Sequence, residues 1–200
     1  EWYNGELIEN SMDWSFADEN GWVEDLNYRR LINLDDVKPG DYGKWKFSLH
    51  PENNPGFLTM YFDFCWDRDV SSTEPELEAG DAPADPDLMR DGELSQNVEL
   101  RFWNDANSNC TLDSDENSTD WMSFYELTNG QLMPHEIDLS QIGLQELENC
   151  QTYWLGIEWR IPKDVGNIIQ TDSLGFRIDF NYIQKRHNEN FETQVYEDKF

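Results

Sequence analysis

Oxygen-bearing side chains recur at every second position after Trp103: Asp105, Asn107, Asn109, Thr111 and Asp113, followed three residues later by Glu116. Counted from Asp105 these are positions 1, 3, 5, 7, 9 and 12, the spacing by which a loop wraps Ca²⁺. Alternate residues turn inward, the seventh supplies its backbone carbonyl, and the terminal Glu can bind through both oxygens. One position departs from the pattern, because Cys110 stands sixth, where glycine makes the sharp turn. In a chain this rich in Asp and Asn, a solvated acidic loop is the competing reading.

Catalytic chemistry has no comparable pattern. His50, His135 and His187 are far apart, and Leu139 stands where a zinc-protease helix beginning His135-Glu136 would need its second histidine. No Gly-x-Ser-x-Gly elbow, phosphate-binding glycine loop or Cys-x-x-Cys pair occurs. With 42 Asp and Glu, neighbouring carboxylates are expected everywhere, and no glycosidase-like pair stands out. The expectation is a protein that is not an enzyme.

Three cysteines cannot all pair within one chain. Cys110 lies in a polar loop and Cys150 just before a strand, so a Cys110–Cys150 disulfide at a sheet end is expected, with Cys65 free inside an apolar run. Three buried thiols are the alternative. Asn109-Cys110-Thr111 and Asn117-Ser118-Thr119 are acceptor sequons for N-glycosylation at Asn109 and Asn117. Nine tryptophans raise the possibility of stacking on surface glycans, but Trp45, Trp66 and Trp159 fall on inward faces and suit a core.

The elements that position these residues are strands. In 153–161, Tyr153, Leu155, Ile157, Trp159 and Ile161 share one face, opposed by Glu158 and Arg160. In 174–182, Leu174, Phe176, Ile178, Phe180 and Tyr182 do the same. A period of two with aromatic and β-branched residues inside marks a half-buried strand. Covering such faces requires a second sheet. Trp45, Phe47 and Leu49 continue the pattern, as do Val98, Leu100 and Phe102.

The run 57–66 is apolar on both faces, which calls for cover on both or for a docked subunit. From 68 to 91 the composition collapses to Asp, Glu, Pro, Ser and Ala, the signature of a long surface loop extended by its own charge. The fold class predicted is all-β, a jelly-roll-like β-sandwich with long acidic loops and one or two short helices. The expected division is an N-terminal segment 1–30, a sandwich domain 31–188 and a tail 189–200.

The balance of 14 Lys and Arg against 42 Asp and Glu gives a net charge of −28. So acidic a chain repels nucleic acid and favours cations as partners, and concentrated salt would screen its self-repulsion. No run of about 20 apolar residues could span a membrane. The opening Glu1-Trp2-Tyr3 lacks an initiator Met, as a processed secreted protein would and as a trimmed chain would too.

Several ordered motifs resemble one family. They are Leu155-Gly156-Ile157-Glu158-Trp159-Arg160-Ile161-Pro162, Val165-Gly166-Asn167, Gln170-Thr171-Asp172-Ser173 and Ile183-Gln184-Lys185-Arg186-His187-Asn188. Upstream stand Val37-Lys38-Pro39-Gly40-Asp41, Ser48-Leu49-His50, Asn54-Pro55-Gly56, Thr73-Glu74-Pro75-Glu76 and Gly92-Glu93-Leu94. Together with the 103–116 loop, this set is similar to archaeal members of the TasA/camelysin family, secreted proteins with SipW-dependent-type signal peptides. The resemblance implies a jelly-roll subunit that polymerises with itself into cell-surface filaments, pili or biofilm-matrix fibres. It further implies that an N-terminal donor strand, here Trp2, Tyr3, Leu7 and Ile8, completes the sheet of the next subunit. Phe191, Thr193 and Val195 make the tail the other candidate donor.

Overall fold

A computed structural model describes residues 2–7, 33–34, 36–85, 87–130 and 134–186. Ile8, the rest of the lead-in to residue 32, and the tail with Phe191, Thr193 and Val195 lie outside the described residues. Ten strands are seen among the described residues: β1 (Trp2–Tyr3), β2 (Glu6–Leu7), β3 (Tyr42–Leu49), β4 (Gly56–Asp69), β5 (Glu99–Asn104), β6 (Met122–Ser123), β7 (His135–Ile137), β8 (Glu146–Leu147), β9 (Tyr153–Arg160) and β10 (Asp172–Gln184). They form two antiparallel sheets, one in the order β2-β1-β3-β9-β5-β6 and the other β10-β4-β7, with β8 also on β4. The fold is an all-β sandwich. Three short α-helices, α1 (Glu74–Ala79), α2 (Leu94–Asn97) and α3 (Phe124–Leu127), are more than the sequence led one to expect.

The alternating runs in β9 and β10 do not pair with each other. β9 pairs with β3 and β5, β10 pairs with β4, and the turn beginning at Pro162 carries the chain from one sheet to the other. β3 and β4 cross between sheets in the same way, the connection expected of a jelly-roll-like sandwich. The apolar faces therefore meet across the core. Trp45 of β3 packs on Phe176 of β10 with ring centroids 6.3 Å apart, and Phe47 on Phe180 at 6.1 Å. Phe62 sits at the centre against Phe102, Phe124 and Phe176. Thr59 and Tyr61, on the other face of β4, are buried too, so that face is covered as its sequence requires.

Strict alternation breaks in β4. Phe64 is opposite Phe176, yet Trp66 is opposite Gly175, so β4 carries one extra residue at the bulge. Trp66 is thereby turned outward over Gly175, where an added Cβ would lie 2.4 Å from the indole. Its expected inward position is corrected: a period-two count cannot survive an inserted residue. The same shift brings Asp67 and Asp69 inward, in register with Leu174 and Asp172 of β10. Cys65, expected in the core, is half-buried at this irregularity.

The 68–91 stretch is not an extended loop. Thr73 opens α1, Gly80 ends it in the left-handed region at φ +100°, and Arg90 returns to bridge Asp67.

Candidate functional site

Three places draw together the residues with chemical potential: the N-terminal edge of the first sheet, the 105–116 loop, and a carboxylate group where β4 and β10 end.

At the edge, β1 lies antiparallel to β3 with Trp2 opposite Lys44 and Tyr3 opposite Gly43. Asn4 and Gly5, at φ +48° and +85°, turn the chain straight back into β2. Asn-Gly in a two-residue loop is a strong hairpin signal because both positions tolerate positive φ. The alternation in these residues is too short to announce a hairpin, but the dipeptide does. Trp2, Tyr3 and Leu7 are thus strand residues of this chain's own sheet, joined to the sandwich rather than separate from it.

Asp41, buried in the tight turn before β3, fastens the segment. Its carboxylate accepts from the Tyr3 hydroxyl at 2.5 Å, the Asn4 side-chain amide at 2.9 Å, and the Lys38 backbone N–H at 3.0 Å. The Lys38 ammonium adds a contact at 3.3 Å. Burial pushes the Asp41 carboxyl up, but these donors outweigh it and hold it below the usual carboxylate range. Burial and the Asp41 charge together push the Tyr3 phenol upward. The Tyr3 ring stacks on Trp159 at 5.9 Å. Beside the hairpin runs a groove of about 560 Å³, lined in part by Tyr42, Trp121, Glu158, Arg160 and Lys163. The guanidinium groups of Arg101 and Arg160 lie over the Trp121 ring at 4.6 and 4.1 Å.

The acidic loop does close into a compact turn. Asp105, fully buried, accepts from the backbone N–H of Asn109 at 3.0 Å and of Cys110 at 2.9 Å. Asn107 and Asn109 donate to one oxygen of Asp113 at 2.7 and 2.8 Å, holding that carboxyl below its usual range. Glu116 accepts from the Asp113 N–H at 3.1 Å, while its other oxygen is buried without a partner. Cys110 takes up φ +58°, so the sixth position makes the sharp turn without glycine. Thr111 is turned toward Lys44, at 3.3 Å, which leaves its carbonyl as the group a seventh position would offer. Lys46 holds the loop to β3 through the Ser108 carbonyl and hydroxyl at 2.8 and 3.0 Å. The loop covers Trp103, which is fully buried on the outer face of its sheet against Gly156. Asn109 and Asn117, the two sequon asparagines, are exposed.

The expected disulfide is not formed: Cys110 and Cys150 are both free, as is Cys65. Cys110 is buried under its loop with its N–H on Asp105, whereas Cys150 is exposed in a turn whose N–H binds the Pro51 carbonyl at 2.9 Å. Separate local turns, each with a left-handed cysteine, fix the two residues independently.

The carboxylate group was not legible as a site. Oxygens of Asp69, Glu76 and Asp172 lie within 4.8 Å of one another. Asp172 accepts from the Glu93 N–H at 2.6 Å, Asp67 from the Ser95 N–H at 2.9 Å, and Asp69 from the Ser71 N–H at 3.1 Å. Glu76 accepts from the Thr73 N–H at 2.5 Å and the Thr171 hydroxyl at 3.0 Å. Burial, reinforced by the neighbouring carboxylates, pushes Asp172 up to about 8 and Glu93 up to about 7. Burial likewise pushes Asp67 up to about 6, with Asp91 adding to it. The sequence signal was faint: two acids spaced by two at the end of an apolar strand. Only the bulge turns them inward.

The chain matches no family model and no curated protein sequence. No helix among the described residues is long and apolar enough to cross a membrane.

Proposed function

We propose that this chain is the subunit of an extracellular filament, a pilus or biofilm-matrix fibre, built by exchange of the N-terminal segment between copies. The observation that carries this reading is the position of β1. It sits outside β3, is two residues long, and is fastened through Tyr3 and Asn4 to Asp41. A strand at that position can leave by giving up the Tyr3–Trp159 stack and the Asp41 hydrogen bonds, and the groups it releases on β3 and Asp41 are a template for the same strand of a second copy. The contacts exchanged are identical within and between subunits, so concentration and kinetics set the balance. The contact is head-to-tail, and it propagates as a filament where its rotation does not close into a ring. The resemblance to the TasA/camelysin family supports the same reading, and the surplus negative charge suits a surface bathed in salt or divalent ions.

Negative-stain microscopy in high salt with calcium tests it, comparing the full chain with a variant lacking residues 1–10. Filaments from the full chain and monomers from the truncation are expected. Filaments from both would move the donor to the tail or to another surface, and monomers from both would overturn the polymer reading.

A second reading, a secreted Ca²⁺-assisted carbohydrate-binding β-sandwich module, draws on the groove that Trp121 and Tyr42 line. A specific sugar-induced change in tryptophan fluorescence from a monomer would favour it, and loss of that change in Trp121→Ala would assign it to the groove.

A further inference from the structure

The side chain that α1 buries is Glu76, while Leu77 beside it is 45% exposed. A six-residue amphipathic helix would normally do the reverse. Glu76 is 0% exposed and Asp69 is 3% exposed, and both face Asp172. Buried oxygens of Asp69, Asp81, Glu93 and Asp172 accept no hydrogen bond. None of the ion pairs among the described residues includes any of these five carboxylates. Buried carboxylate oxygens without donors are costly, and several pointing at one another are more so. Asp67 carries a similarly buried unpartnered oxygen, but among the described residues it is Asp69 that brings one into a group of three carboxylates within 4.8 Å of one another.

We infer that Asp69, Glu76 and Asp172 form a structural Ca²⁺ site that ties α1 to the ends of β4 and β10, with Asp81 and Glu93 adding negative charge beside it. Oxygens around Ca²⁺ lie 2.3–2.6 Å from the ion, hence up to about 5 Å apart, which matches the separation of the three central carboxylates. The donor set is all oxygen, which suits a hard cation and not zinc. Calcium is favoured over magnesium because it accepts several carboxylates and gives up its water readily, whereas magnesium keeps several waters that this interior would have to house. The burial of Asp69 and Glu76 admits an ion and excludes a polymeric substrate. This site is separate from the 105–116 loop and does not depend on the filament reading.

Thermal unfolding of the full chain after chelation tests it, with added Ca²⁺ or, at equal ionic strength, Mg²⁺. At calcium a hundredfold above its dissociation constant the melting temperature should rise by about 5–10 °C, and magnesium should give much less. Asp69→Asn and Asp172→Asn should abolish that rise. In chelator they should melt at or above the wild-type temperature, because each replaces a carboxyl crowded among other buried carboxylates by a neutral amide. That opposite sign separates ligand loss from simple damage. Asp113→Asn with Glu116→Gln should retain the rise, and terbium luminescence excited through tryptophan should follow the same pattern across the variants. The inference is overturned if calcium and magnesium act equally in wild type and variants, as screening alone would. It is also overturned if the calcium gain persists in Asp69→Asn and Asp172→Asn while the loop variant loses it.

Discussion

The Tyr3 hydroxyl donates to Asp41 Oδ2 at 2.5 Å, across 38 positions of sequence, and joins the hairpin to the turn that begins β3. Tyr3→Phe keeps the ring on Trp159 and removes only that donor, so it should cost about 1–2 kcal/mol. Asp41→Asn disturbs the acceptor of all four donors and should cost about 1–3 kcal/mol. Urea unfolding of monomeric protein measures both. Equal midpoints for wild type and Asp41→Asn would mean that the edge is not fastened there.

The same carboxylate sets a pH dependence. Its folded value lies below the ordinary value of about 3.9, so its stabilisation is present in full above the unfolded value and is lost as pH falls through the folded one. The difference in melting temperature between wild type and Asp41→Asn should hold from pH 7 to about pH 5. It should shrink below pH 4, and a difference that grew on acidification would contradict the assignment.

Gly156 and Gly175 both lie under tryptophans, but the two indoles differ in freedom. A Cβ on Gly156 would come 2.1 Å from Trp103, which is fully buried beneath the acidic loop. One on Gly175 would come 2.4 Å from Trp66, which is half-buried at the bulge and can tilt outward. Gly156→Ala should therefore cost about 1–3 kcal/mol and Gly175→Ala clearly less. Denaturant midpoints of the two variants give the order directly.

The three thiols should be distinguishable by a chromogenic disulfide reagent. Cys150, exposed, should react first, and Cys150→Ser should remove the fast phase. Cys110 and Cys65 should react slowly, since burial hinders access and pushes both thiols up, away from the reactive thiolate. All three should titrate in guanidinium. Two missing thiols there would restore the Cys110–Cys150 bridge.

A net charge of −28 makes self-repulsion a general tax on the folded state. Molar sodium chloride shortens the screening length to about 3 Å and should raise the melting temperature of the chelated protein. Little change would mean that the acids are locally compensated, against the geometry at Asp69 and Asp172.

What the residues alone determined is the class of fold and most of its core. Alternation in 45–49, 58–64, 98–102, 153–161 and 174–182 marks strands because a pleated chain sends every second side chain to one face, and that rule is local. The Asn4-Gly5 hairpin was not expected from the opening residues, although tolerance of positive φ is a property of the dipeptide. Cys110 stood as a departure from the glycine of the loop pattern, and its left-handed turn appeared only in the structure.

The tertiary structure decided three other things. Which sheet each strand joins depends on contacts far apart in sequence, so β9 and β10 could be recognised as strands but not assigned to opposite layers. The pairing of cysteines depends on where separate turns aim two Cβ atoms. The inward turn of Asp67 and Asp69 depends on one extra residue at a bulge, which reverses the parity of everything after it. Periodicity reads a face only while the register holds. The buried carboxylates lie just beyond the point where it fails.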